Sequence, residues 1–187
     1  ATNLGGGGIY VYYESAPVIE MNWITQNTST NGAGVAIFWS SDPMVRNNLI
    51  VKNIGRGITM TASSPEISFN TIADNADAGI YLKSTGSSPV ISNNMIVSNG
   101  TGMNVPSGNS PQITYNDVWG NTDGQYLPEE FDQTGLDGNL SADPLFVDPN
   151  THDYHLRFDS VCIDAGDPNF TNPLGLTDYQ GTARILG

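Results

Sequence analysis

Charge is scarce in this chain, and positive charge most of all. Only 13% of the 187 residues are Asp, Glu, Lys or Arg, and six of them are basic, against 19 acidic residues and two histidines. The resulting net charge of −13 excludes nucleic acid and anionic membrane surfaces as partners, because like charge repels them. A bare anionic polysaccharide is disfavoured unless a divalent cation bridges, which leaves neutral glycans, cations and proteins. Cysteine occurs once, at Cys162, so no internal disulfide exists. No run of 18 apolar residues is present, which excludes a membrane-spanning helix. Helical spacing of apolar residues is missing from the first two-thirds of the chain. Hydrolase-elbow, deaminase and phosphate-loop motifs are also missing. No secretory leader is recognisable, and the Ala-Thr-Asn-Leu-Gly-Gly-Gly-Gly opening carries no amphipathic cap. The start is therefore read as a cut within a longer chain.

What the sequence does have is a repeat. Pro17, Pro43, Pro65, Pro89 and Pro111 are spaced by 26, 22, 24 and 22 residues. Two places after each stands Ile19, Val45, Ile67, Ile91 or Ile113, and seven places after stands Ile24, Ile50, Ile72, Ile96 or Val118. Asn22, Asn48, Asn70, Asn94 and Asn116 lie five places after the prolines; Asn27, Asn53, Asn75, Asn99 and Asn121 lie ten places after. A Gly-plus-apolar pair precedes each proline, as in Gly34-Val35 and Gly79-Ile80. Periods of this length signal a solenoid. Each copy holds three short apolar alternations separated by Gly, Pro and Asn, which predicts three strands and three turns. A leucine-rich repeat of similar length would need a Leu consensus, and none is present. One coil of a parallel β-helix remains.

Stacked coils lie about 4.8 Å apart. At that distance an Asn repeated in every coil can donate to the Asn on one side and accept from the other, a ladder that satisfies a buried amide. Asn also tolerates the left-handed backbone that a sharp corner needs. The alternative is a set of independent surface turns.

The motif resembles the right-handed parallel β-helix superfamily, the pectate-lyase-like repeat proteins of secreted and surface type. The resemblance covers residues 5–121. It implies an all-β, right-handed parallel β-helix of about five regular coils over 1–121, followed by an irregular closing segment over 122–187. The strings Asp143-Pro144-Leu145-Phe146-Val147-Asp148-Pro149, Asp153-Tyr154-His155-Leu156 and Ile163-Asp164-Ala165-Gly166-Asp167-Pro168 resemble the closing ends of secreted members. Asp178, Gly181 and Arg184 resemble a short string that often follows. An extracellular or cell-surface location is the corresponding expectation.

Strand alternation assigns facing. In the first strand of each coil Tyr10, Tyr12, Phe38, Tyr81 and Lys83 point outward in two columns. Flat rings beside Thr59, Thr61, Lys83 and Asn104 suit a sugar face, so these five residues are the ligand-binding candidates. Aromatics also pair across strands for purely structural reasons. For the third strand the outward set is Trp23, Leu49, Val51, Thr71, Ala73, Met95, Val97, Asp117 and Trp119. Such an apolar face calls for a cover. The segment after Asn121, through Tyr126, Leu127 and Phe131, is the expected one. Self-association through the Trp23, Leu49 and Met95 face is the other.

Catalysis has a thinner basis. The resemblance implies that a lyase would carry a basic residue beside acidic calcium ligands, and Lys83, Arg56 and Asp77 are the nearest set. The same residues read equally as solvated corner charges. Asp143, Asp148 and Asp153 recur every five residues, a pattern open to a structural calcium ion or to Asp-led turns. Asn139 and Asn169 head glycosylation sequons; Asn27 and Asn99 match too but belong to the expected ladders. The leading functional expectation is a non-catalytic module binding a polysaccharide or a surface protein. A fragment of a polysaccharide lyase or glycoside hydrolase, and a structural subunit of a surface layer or filament, are the alternatives.

Overall fold

A computed structural model describes residues 7–170 and Thr177. The repeat becomes three parallel sheets. Sheet 1 stacks Ile9–Tyr12, Val35–Phe38, Ile58–Thr61, Ile80–Leu82, Met103–Asn104 and Tyr126–Leu127. Sheet 2 stacks Val18–Glu20, Met44–Arg46, Glu66–Ser68, Val90–Ser92 and Gln112–Thr114; sheet 3 stacks Trp23–Thr25, Leu49–Val51, Thr71–Ala73, Met95–Val97 and Asp117–Trp119. Coils 1 to 5 are numbered here by their prolines, from Pro17 to Pro111. Equivalent repeat positions are true register partners: Ile67 faces Val45 on one side and Ile91 on the other. The core is the column of inward residues, with Ile37, Ile50, Met60, Ile72, Leu82 and Ile96 fully buried. At Gly34 a side chain would meet the Gly57 carbonyl oxygen at 2.3 Å, so the Gly of the Gly-apolar pair is set by close approach of successive coils.

Both asparagine ladders form. Asn22 donates Nδ2 to Oδ1 of Asn48 at 3.0 Å, and the chain continues through Asn70, Asn94 and Asn116. The second ladder runs from Asn27 to Asn121 and ends on Gln125 Oε1 at 2.7 Å. The left-handed corner residue, however, is the one before each rung. Met21, Asn47, Phe69, Asn93 and Tyr115 precede the rungs of the first ladder, and Gln26, Lys52, Asp74, Ser98 and Gly120 those of the second, all with φ between 53° and 63°. The Asn is thus placed for its amide alone. A third ladder, not read from the sequence, lines the corner between sheets 1 and 2. There the backbone N–H groups of Ser15, Ser41, Ser63 and Ser87 bond in turn to Ser41, Ser63 and Ser87 hydroxyls and to Asn109 Oδ1.

Regular stacking continues past Asn121. Tyr126–Leu127 adds a sixth strand to sheet 1, with Tyr126 opposite Met103 and buried at the end of the core, where Phe131 packs against it. Asn139 becomes a sixth rung, accepting from Asn116 at 3.1 Å, and Leu140 bridges to Asp117. Tyr126, Leu127 and Phe131 therefore do not cover sheet 3. Their coil position matches Met103-Asn104 of the coil before, which assigns them to sheet 1.

The cover for sheet 3 is the hairpin Phe146–Asp148 and Asp153–Leu156. Phe146 and Tyr154 pack on Leu49, Val51 and Ala73. The Tyr154 hydroxyl donates to Asp74 Oδ2 at 2.7 Å, and Lys52 Nζ donates to the Pro149 carbonyl at 2.6 Å. His152 meets Trp23 edge-on at 5.2 Å between ring centres. The hairpin consequently spans the stack from coil 3 to coil 1, and Val97 is buried while Met95 and Trp119 are half-buried. Trp23 stays half exposed. The strings at Asp178, Gly181 and Arg184, and the opening residues 1–6, lie outside the described residues.

Candidate functional site

The outward face of sheet 1 carries the aromatic candidates. Tyr10 and Tyr12 sit two residues apart on one strand and therefore share a face; their rings stack at 5.6 Å with 20° between planes. Tyr10 also meets Phe38 of coil 2 at 5.7 Å. Burial and the neighbouring Tyr12 hold the Tyr10 phenol above its ordinary value, so it stays a neutral donor. Phe38 is itself only 7% exposed, with the Lys83 ammonium 6.0 Å from its ring centre.

The platform is not continuous. The corner between sheets 3 and 1 is longest in coil 1, and its residues 29–32 fold over sheet 1. A Cβ on Gly32 would lie 3.0 Å from that of Ala36 and 3.2 Å from that of Thr59. Ala36 and Thr59 are fully buried as a result. Lys83 Nζ reaches across to Asn31 Oδ1 at 2.8 Å, and Arg56 Nη1 donates to the Thr30 carbonyl at 3.0 Å. Tyr81 lies beyond this loop with the Arg56 guanidinium 4.2 Å from its ring centre. Tyr10, Tyr12 and Phe38 thus fall on one side and Tyr81 on the other.

Two further aromatics join the open side. Tyr13 and Trp39 stand four places before Pro17 and Pro43, in the left-handed turn that ends the sheet 1 strand, with φ of 52° and 60°. Tyr13 lies 6.1 Å from Tyr12, and both Tyr13 and Trp39 are more than half exposed. Their register position holds Ala62 in coil 3, because Phe38 pairs with Thr61. The signal was available in the repeat, but strand alternation ends one residue too early to include it.

The catalytic candidates are engaged with neighbours. Arg56 Nε pairs with Asp77 Oδ2 at 3.0 Å, and Asp77 Oδ1 accepts from the Ala78 N–H at 2.9 Å. Arg56 and Asp77 are brought together across adjacent coils, whereas Lys83 is committed to Asn31. The aspartates Asp143, Asp148 and Asp153 each accept from a backbone N–H two residues on, at Leu145, Asn150 and His155. This is the geometry of Asp-led turns. The His155 side chain and N–H hold the Asp153 carboxyl below its usual range. Among the described residues no group of three or more His, Cys, Asp or Glu is placed to hold a metal ion. Of the sequon asparagines, Asn139 and Asn99 are buried in ladders, Asn27 is a half-buried rung and Asn169 is exposed.

Three parallel sheets, coil-by-coil register and internal asparagine ladders define a parallel β-helix. The chain belongs to the family described as the right-handed beta helix region, whose model matches residues 1–139. That match ends at the last asparagine rung. No curated protein and no solved structure matches the chain. Among the described residues no helix is long and apolar enough to cross a membrane.

Proposed function

We propose that this β-helix is an extracellular or cell-surface module that binds a neutral glycan on the sheet 1 face of coils 1 and 2, without cleaving it. One observation carries the reading: Tyr10, Tyr12, Tyr13 and Trp39, from two adjacent coils, are each between 41% and 64% exposed. Rings kept in water forgo burial worth roughly 1.5–3 kcal/mol apiece, and such a patch signals a binding surface. Flat, amphipathic rings offer apolar faces for sugar C–H groups and hydroxyls for their edges. The net charge of −13 favours an uncharged ligand. The engagement of Arg56, Asp77 and Lys83 speaks for binding over turnover. The closing strings that resemble secreted relatives support the location. A protein partner would use the same rings, and self-association through sheet 3 would fall to Trp23, since Leu49 is under the hairpin.

A glycan array with product analysis tests this reading. Retention of neutral glycans, weakened at least tenfold by Tyr12→Ala and Trp39→Ala at unchanged melting temperature, is the expected result. New reducing or unsaturated ends would replace binding by catalysis. Retention indifferent to both substitutions, or none at all, would refute the glycan reading.

A further inference from the structure

A second site lies at the corner of sheets 2 and 3, away from the aromatic face. Here residues 162–170 arch over coils 3 to 5 above a half-open cavity of about 370 Å³, a size at the lower end of small-ligand sites. The arch is anchored at both sides. Asp167 N–H donates to Asn93 Oδ1 at 2.8 Å, and Phe170 packs on Phe69 at 4.7 Å between ring centres. Phe69, Tyr115 and Phe170 supply aromatic lining; Asp117, Asp164 and Asp167 supply carboxyl groups; among the described residues no lysine, arginine or histidine lines the cavity.

Asp117 is the unusual member. Its repeat position points outward from sheet 3 and holds Trp23, Leu49, Thr71 and Met95 in the earlier coils. In coil 5 it holds a carboxyl group that is 4% exposed. Its partners are the Ala142 N–H at 3.0 Å and the Cys162 thiol at 3.4 Å, neither of which brings positive charge. Burial keeps that thiol neutral, its pKa pushed up to about 12. Carboxylates withdrawn from water are ordinarily matched by a cation. The walls favour the same sign, because the faces of aromatic rings are negative and attract cations. A metal ion is the poorer match, since no three metal-ligating groups converge among the described residues.

We propose that this cavity binds a small organic ammonium ion with an apolar body, Asp117 serving as its counter-ion and the rings of Phe69, Tyr115 and Phe170 as its wall. The site is independent of the glycan face, so either can fail alone.

The probe is benzylammonium chloride, titrated into the intact chain by calorimetry and by the Met95 methyl resonance, since Met95 lines the cavity. Saturable binding is expected, with benzyl alcohol, the neutral counterpart of similar shape, at least tenfold weaker. Asp117→Asn should lose at least tenfold in affinity for the amine while circular dichroism stays unchanged. Ala165→Leu, which adds bulk at the cavity wall while leaving the Asp117 carboxyl in place, should abolish binding. Trp39→Ala should leave it intact. Equal affinity for amine and alcohol, undiminished binding by Asp117→Asn, or no saturable binding by the wild-type chain would overturn the proposal. The amine–alcohol comparison needs no variant, so it decides even if a substitution disturbs folding.

Discussion

Asn94 is the middle of a ladder, and replacing it with alanine removes five hydrogen bonds at once. Its Nδ2 donates to the carbonyls of Ile67 and Ser92 and to Asn116 Oδ1; its Oδ1 accepts from the backbone N–H and Nδ2 of Asn70. Not all of the partners are left unpaired. Asn70 Nδ2 keeps the carbonyls of Val45 and Ser68. Asn116 Oδ1 keeps the Asn94 N–H, and the Ser92 carbonyl keeps the Phe69 N–H. The Ile67 carbonyl keeps its place in the sheet 2 ladder, where Ser68 pairs with Ser92, so one group remains: the Asn70 N–H, on a residue that is 1% exposed. A buried orphan costs about 1–3 kcal/mol. Asn94→Ala should therefore lower stability by about 1–3 kcal/mol, towards the lower part of that range if the vacated amide volume admits a water.

The first rung supplies the control. Asn22 is half-buried, donates to the Glu20 carbonyl and to Asn48 Oδ1, and Asn48 Oδ1 retains the Asn22 N–H when the side chain is removed. Asn22→Ala should cost less than about 1 kcal/mol, a typical net hydrogen bond. Asn94→Asp should be worse than Asn94→Ala, since it turns Nδ2 into an oxygen facing two carbonyls and an amide oxygen. Urea unfolding followed by circular dichroism, with the slope checked for loss of two-state behaviour, measures all three. Equal costs for Asn22→Ala and Asn94→Ala, or a cost for Asn94→Ala within about 0.5 kcal/mol of zero, would refute the position-dependent orphan argument.

Three more outcomes are expected. Asp117→Asn should be more stable than wild type at pH 7: burial raises the carboxyl above its ordinary value in the folded chain. The native state is therefore favoured below that value and loses stability as pH rises through the folded pKa. Melting curves should show the advantage of the variant vanishing below about pH 4, and a constant advantage at all pH would remove ionisation as its cause. Ser98→Gly should be neutral or gain up to about 1 kcal/mol, whereas Ser98→Val should lose about 1–2 kcal/mol. Ser98 is exposed at φ 56°, so backbone strain is the main variable, and equal melting temperatures would contradict it. Tyr154→Phe removes the bond to Asp74 and should weaken hairpin docking by about 1–2 kcal/mol, read as faster amide exchange in Leu49–Val51; unchanged exchange would mean the hydroxyl is dispensable.

The coils were legible because each Pro, Ile and Asn position is tested five times over, and a stack cannot form unless every copy agrees. The inward and outward faces followed from alternation, including the apolar outer face of sheet 3. The closing segment was less so, because it has one copy of everything. Tyr126 sits opposite Met103, yet no proline announces the sixth coil. The cover of sheet 3 depends on Phe146 and Tyr154 meeting Leu49 and Val51 from about a hundred residues away, a pairing no local spacing encodes. The division of the aromatic face was hidden for the same reason. Lys83 reads as a free outward charge until the coil 1 corner brings Asn31 to it.

In a repeat of this kind, whatever recurs in every coil is accounted for by stacking, so chemistry has to be sought where one coil departs from its column. Two departures stand out by that criterion. Tyr13 and Trp39 occupy a register position that is Ala62 in coil 3, and they remain in water. Asp117 occupies a column of Trp, Leu, Thr and Met, and it is taken out of water without a cationic partner among the described residues. Both choices work against stability, one by exposing apolar surface and the other by burying charge. A stack held by ladders from Asn22 to Asn139 and from Asn27 to Gln125 can carry both. The two sites lie on different faces because each outward column serves a different sheet. A ligand at one therefore meets the other only through the shared coils, and the two can be tested and altered separately.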